Sequence, residues 1–234
     1  MSELLDKMNA LAAEISVCEN CMLHLTRDKA VPGEGNVRTK VLFIGEGPGA
    51  NENATGRPFV GNAGNFLNNL IAIAGLKRQE VFITNVVKCR PPANRDPLPE
   101  ELSACAHYLN RQIELINPLV IVTLGRFSMA RYFPLQRISG IHGQGQWING
   151  RMIVPMFHPA AALHQPSLRS AIEHDFSLLP AYIQEAQNKL IPAPVPVETK
   201  AEAPASEDKS GKPEEPAPAD SASDEAGVSQ LSLF

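Results

Sequence analysis

No apolar run in this chain of 234 residues approaches the roughly 20 residues that a membrane-spanning helix needs. The N-terminus, Met-Ser-Glu-Leu-Leu-Asp, lacks the basic and apolar regions of a signal peptide, which predicts a cytoplasmic protein without membrane association. Cysteine is scarce, with four residues in all, and a cytoplasmic setting argues against structural disulfides. A basic excess, the usual mark of a nucleic-acid binder, is also missing: the formal net charge is −4. That figure misleads, because the charges are uneven. Residues 191–234 hold nine of the 25 acidic residues and three of the 21 basic ones, leaving 18 basic against 16 acidic in residues 1–190. Such a balance is compatible with a polyanionic partner without arguing for one.

The rest of the chain is organised around Gly45–Gly61, which reads Gly-Glu-Gly-Pro-Gly-Ala-Asn-Glu-Asn-Ala-Thr-Gly-Arg-Pro-Phe-Val-Gly. It follows Lys40–Ile44, an apolar run of the kind that forms a buried strand. So many glycines and prolines predict a long loop, free of helix and strand, at the strand's carboxyl end, where open α/β sheets bind ligands. The loop does not end in Lys-Ser/Thr, which argues against a nucleotide phosphate loop.

Around it the pattern alternates. Leu4, Leu5, Met8, Leu11 and Ile15 stand at helical spacing over residues 3–16. A helix is expected over 65–74, stopped by Gly75, then a strand over 81–87 ended by Pro91-Pro92. A helix from about Pro99 to Ile116 and a strand over 119–124 follow, with a short helix to about Phe133. Trp147–Val154 reads as a hairpin turned at Asn149-Gly150. A final helical region, about 168–189, carries Pro180, which predicts a kink or two helices. Helices alternating with short apolar strands predict a three-layer α/β/α domain over residues 1–190, with a central, mainly parallel, four-stranded sheet. Three loops at one sheet edge would then converge: the glycine loop, Asn85–Arg95 and His158–Pro166.

Residues 191–229 are rich in Pro, Ala, Glu and Ser and hold no aromatic side chain. Such a segment buries too little apolar surface to offset ordering entropy and is expected to be a disordered linker. It ends in Gln230-Leu231-Ser232-Leu233-Phe234, apolar again, like a peptide ligand. The four cysteines are Cys18 and Cys21, a C-x2-C pair at a helix end, with Cys89 and Cys105. Together they suggest a four-thiolate metal site; a zinc knuckle would more often use two close pairs, but spacing leaves the choice between zinc and an iron–sulfur cluster open.

Gly45-Glu-Gly-Pro-Gly, Gly56-Arg-Pro-Phe-Val-Gly-Asn-Ala-Gly64, Thr84-Asn-Val-Val-Lys-Cys-Arg-Pro-Pro92 and His158-Pro-Ala together resemble family 4 uracil-DNA glycosylases. The resemblance spans about residues 5–185 with the motifs in matching order. It implies a 4Fe–4S cluster on Cys18, Cys21, Cys89 and Cys105, structural rather than chemical in role. It also implies a uracil pocket. Asn85 would read N3–H and O4, Phe59 would stack on the base, and the backbone of Gly45, Glu46 and Gly47 would close around it. His158 would donate to O2 as uracil leaves.

Glu46 and Glu52 are the carboxylates expected to orient water or stabilise the sugar cation, and the resemblance does not choose between them. In family 1 enzymes an aspartate stands where this chain has Gly47. Family 4 usually has Glu-Asp where this chain has Glu52-Asn53. Lys88 sits beside a cluster ligand, which argues against a Schiff base and for a monofunctional enzyme. Leu163 is the expected wedge into the space left by a flipped base, and Arg95 and Arg169 are expected near phosphates. A histidine in a basic loop after strand two, which serves covalent capture in a related class, has no counterpart in Pro91–Pro97. Gln230, Leu231, Leu233 and Phe234 resemble the pentapeptide by which bacterial repair proteins bind the sliding β-clamp. The protein is expected to act as a monomer on uracil-containing DNA.

Overall fold

A computed structural model of the chain describes residues 2–190. The expected linker 191–229 and peptide 230–234 lie outside the described residues. In chain order the elements are α1 (Ser2–Ser16), β1 (Glu34–Gly35), β2 (Val41–Gly45), α2 (Ala50–Thr55), α3 (Asn62–Ile73), β3 (Phe82–Asn85), α4 (Pro99–Ile116) and β4 (Val120–Leu124). Then come α5 (Arg126–Ala130), α6 (Ile138–Ile141), β5 (Gln146–Ile148), β6 (Arg151–Met156), α7 (Pro159–His164) and α8 (Arg169–Leu190).

The sheet runs β1-β3-β2-β4-β6-β5. Its four central strands are parallel, and β1 and β5 close the edges antiparallel. The expected four-stranded parallel sheet is therefore the middle of a six-stranded one. β5 is the first arm of the predicted hairpin, turned at Asn149 (φ 49°) and Gly150 (φ 77°) as an Asn-Gly type I′ turn requires. β1 is two residues long, too short for any periodicity to reveal.

The parallel strands are buried on both faces, which explains their continuous apolar runs. Val41, Phe43, Ile83, Val122 and Val154 face α3 and α8, where Phe43 and Phe176 stack at 6.1 Å. Leu42, Ile44, Phe82, Ile121 and Ile153 face α1 and α4 through Leu11, Ile15, Tyr108 and Leu109.

Two expectations are corrected. The glycine loop contains helix α2, because its glycines flank Ala50–Thr55 and leave that stretch free of them. The α2 C-cap is Gly56 at φ 77°. The last region is one continuous helix through Pro180 rather than two. Pro180 is exposed, and Ile172, Phe176 and Leu179 before it and Ala186 after it seat on the same core.

Topology positions the site. The chain leaving β2 runs to α3 on one face of the sheet, and the chain leaving β3 runs to α4 on the other. Gly45 and Asn85, the last residues of these two strands, are register partners. The strands' carboxyl ends thus part at a topological switch point, which is where a crevice opens.

Candidate active site

A cavity of about 570 Å³ lies at this crevice, lined by Glu46, Gly47, Glu52, Phe59, Asn85 and His158, with Asn94, Arg95, Asp96 and His164 also contributing. Five of the six residues expected to hold a base line it. The sixth, Gly45, lies behind the wall. A Cβ there would stand 2.4 Å from Asn85 Oδ1 and 2.7 Å from Phe59 Cζ, so only glycine lets the two side chains meet. At Gly47 a Cβ would stand 2.8 Å from Val87 Cγ2, so the aspartate that family 1 enzymes carry there would have to displace that side chain.

Asn85 is buried, and its Oδ1 has no hydrogen-bond partner. An orphaned buried acceptor costs about 1–3 kcal/mol and is retained where something else completes it. The other such oxygen among the described residues, Thr123 Oγ1, lines no part of the cavity. Phe59 stacks on His158, with ring centroids 5.5 Å apart and planes 28° apart.

His158 is the N-cap of α7, and its Nδ1 accepts from Ala160 N–H at 3.1 Å. That bond fixes the tautomer, because a neutral imidazole accepting at Nδ1 carries its proton on Nε2. Burial lowers the His158 pKa to about 4, against an opposing pull from the Glu52 charge. At neutral pH the ring is therefore an uncharged Nε2–H donor.

The two glutamates are not alike. Glu52 Oε2 accepts from Gly49 N–H at 3.1 Å, and Oε1 accepts from Val60 N–H at 2.9 Å and Gly61 N–H at 3.3 Å. Both of its oxygens hold the loop's backbone. Glu46 has no such ties. Its pKa is raised by burial first, then by the neighbouring Asp96, with Arg126 opposing.

Asn53, where family 4 usually has aspartate, is buried away from the cavity. Its amide accepts from Asp28 N–H at 3.0 Å and donates to the Asp28 carboxylate. An aspartate would set two carboxylates against each other there. Arg95 forks onto Glu101 at 2.8 and 2.6 Å, and Arg169 pairs with Glu173 at 2.9 Å and lies over Phe66. Both arginines expected near phosphates thus already have carboxylate partners. Leu163 is half exposed on α7 beside His164.

Lys88 is a residue whose role the sequence did not reveal. It is fully buried, and its Nζ donates to Thr84 Oγ1 (2.6 Å), the Asn85 carbonyl (2.8 Å) and Gln112 Oε1 (2.7 Å). Burial lowers its pKa to about 8. Since Nζ points at these three oxygens, Lys88 secures the backbone of Asn85.

The cysteines come together from three segments. Cys18, Cys21, Cys89 and Cys105 line one small pocket with Arg27, Lys88 and Tyr108. Arg27 Nη1 donates to Cys89 Sγ at 3.2 Å and to the Cys18 carbonyl at 2.6 Å. Burial pushes the Cys105 thiol up to about 11 and raises Cys89 as well, so these become thiolates only against a strong positive centre. Among the described residues, no three Cys, His, Asp or Glu side chains are gathered closely enough to hold a single ion. A lone tetrahedral zinc would draw its sulfurs to within about 4 Å of one another.

A buried amide with a free acceptor, a neutral imidazole donor and a flat ring thus meet around one crevice of this α/β fold. Residues 32–189 match the model of the uracil DNA glycosylase superfamily, and the chain belongs to that superfamily. It is 46% identical over 182 residues to a type-4 uracil-DNA glycosylase of Saccharolobus solfataricus, covering 74% of this chain and 84% of that protein. It is 43% identical over 183 residues to the type-4 enzyme of Thermotoga maritima, covering 76% and 95%. With the type-4 enzyme of Archaeoglobus fulgidus it shares 43% over 181 residues, covering 74% and 91%.

Proposed function

We propose that this protein is a monofunctional DNA glycosylase that removes uracil from DNA by hydrolysis and leaves an abasic site for base-excision repair. The observation that carries the reading is the buried, unpartnered Oδ1 of Asn85 beside Phe59 and His158 in the cavity wall. Uracil presents O2, N3–H and O4 along one edge, and an asparagine amide offers an acceptor to N3–H and a donor to O4.

The base must leave the stack to reach such a crevice. Phe59 then covers one face of it. As the C1′–N1 bond breaks, its electron pair departs with uracil as an anion, and the sugar becomes cationic. The neutral His158 donates Nε2–H toward O2, where negative charge grows, and so favours the transition state over the substrate. Water adds to C1′, and its proton passes to Glu46, the cavity glutamate whose carboxylate is not tied to backbone amides. Glu52 shapes the loop instead, and its negative charge also favours the sugar cation. Lys88 is sealed among three oxygen acceptors, which supports hydrolysis without a Schiff base.

Cys18, Cys21, Cys89 and Cys105 would hold the 4Fe–4S cluster that the family resemblance implies. The donor set fits: four thiols from three segments share one pocket, and the two buried ones, Cys89 and Cys105, are held protonated by burial until a positive centre is bound. When bound, the cluster supplies a structural tie rather than a reaction step. The residues themselves join the end of α1, the segment after β3 and α4, so they brace the stretch from Asn85 to Cys89.

Leu163 is read as the wedge that fills the duplex behind the flipped nucleotide. Gln230, Leu231, Leu233 and Phe234 are read as the peptide that docks on the bacterial sliding β-clamp, at the end of the linker 191–229. Deleting residues 230–234 should abolish capture by immobilised clamp and leave oligonucleotide activity intact; equal capture without them removes that assignment. The activity itself is tested on a uracil-containing oligonucleotide. Cleavage after alkali supports hydrolysis, and an SDS-resistant adduct or no reaction contradicts it.

A further inference from the structure

Phe59 stands at φ +50°, a left-handed conformation that is an outlier for a bulky aromatic residue. It persists only if the surroundings over-determine it. On one side Gly64 makes room, since a Cβ there would fall 1.9 Å from the Phe59 carbonyl oxygen. On the other, Gly45 lies directly under the ring. Space alone permits the conformation but does not enforce it.

Two charged side chains enforce it. Glu52 takes the amides that follow Phe59, those of Val60 and Gly61. Arg78 takes the carbonyls: its Nη2 donates to Pro58 O at 2.6 Å and its Nη1 to Phe59 O at 3.3 Å and Asn68 Oδ1 at 3.0 Å. Glu34, on edge strand β1, accepts from the same guanidinium through Nε at 3.1 Å and Nη2 at 2.7 Å. Both partners are about three-quarters buried, with side chains 23% and 26% exposed. Arg78 lines no part of the base cavity. A largely buried ion pair is a weak source of stability, since desolvation cancels much of its attraction. A planar fork whose three nitrogens are all engaged at once is a strong constraint on geometry.

We propose that the Glu34–Arg78 pair is a positioning device for base stacking. It holds the Pro58 and Phe59 carbonyls so that the Phe59 ring stands against His158, ready for the flipped base, and it acts without touching DNA. The proposal rests on the reading of Phe59 as the stacking wall of a uracil-excising site. Strand β1 places Glu34 at the sheet edge, where its carboxylate accepts from Arg57 as well as from Arg78.

The test is a double-mutant cycle on the full-length protein, read by single-turnover excision, by inhibition with free uracil, and by amide exchange over residues 58–62. Arg78→Gln should slow excision and weaken inhibition by free uracil by the same factor, roughly tenfold. In a Phe59→Ala background the same substitution should cost less than about twofold, because the ring it positions is gone. Glu34→Gln, a milder change that leaves the guanidinium in place, should give a smaller loss in the same direction. Exchange of the Val60 and Gly61 amides should accelerate in Arg78→Gln while the α3 and α4 amides stay protected. An equal penalty in both backgrounds, or unchanged exchange at 58–62, would overturn the positioning role and leave an ordinary structural ion pair. The exchange readout stands even if the unmutated protein fails to excise uracil, so the two readings fail separately.

Discussion

Replacing Asn85 by alanine separates what the residue does for function from what it does for stability. On the functional side, the variant loses an acceptor for uracil N3–H and a donor for O4. Each such bond contributes about 0.5–1.5 kcal/mol, so kcat/KM for uracil excision should fall roughly 5- to 150-fold. On the stability side the sign reverses. Asn85 Oδ1 is buried without a partner, and removing it relieves about 1–3 kcal/mol of unsatisfied polarity. Against this stands the dispersion energy forfeited by truncating a buried side chain that borders a cavity. The Lys88 bond is to the backbone carbonyl of residue 85 and survives. The balance should leave the melting temperature unchanged or up to about 4 °C higher for a domain of this size. Calorimetry beside a single-turnover gel assay decides it. A melting point lowered by more than about 4 °C, with excision retained, would refute the claim that the amide waits for a base.

Three further predictions concern the other groups. Glu46 has a raised pKa and must be ionised to take the proton from water, so excision should fall, as pH drops, at a higher pH than an ordinary carboxylate would dictate; Glu46→Gln should remove that limb and cut the rate at least about 10²-fold. His158 stays neutral down to about pH 4, so a limb that persisted in Glu46→Gln would contradict the assignment. Leu163→Ala should slow excision from duplex DNA roughly tenfold while leaving single-stranded substrate nearly unaffected; equal losses on both would place Leu163 outside the duplex. Cys89→Ser should lower the iron bound per chain and the brown absorbance, and unchanged iron content would remove Cys89 from the ligand set.

Much of this architecture is legible in the sequence because the parallel strands are buried on both faces and so appear as unbroken apolar runs. The glycine loop is visible because its glycines and prolines follow an apolar strand run directly, whereas Asn85 and His158 stand out only through the motifs that resemble family 4 enzymes. What escaped prediction had no local pattern. β1 is two residues long, and α2 lies hidden between flanking glycines. Lys88 read as a neighbour of Cys89, yet its neighbours in space are Thr84 and Gln112, the latter 24 residues away. The division of labour between the glutamates was equally hidden. Glu52 and Glu46 have similar sequence surroundings, and only the fold brings the Val60 and Gly61 amides onto Glu52. Arg78 reaches Glu34 across 44 residues, a separation at which spacing carries no information.

The central claim is that the crevice between β2 and β3 removes uracil. Its most direct measurement is the incubation of the purified protein with an oligonucleotide carrying a single uracil, followed by detection of free base and of alkali-labile strands. The account predicts release of free uracil and a strand that breaks only after alkali, with neither product from the same oligonucleotide carrying thymine. An intact strand after alkali, with no uracil released, would contradict it.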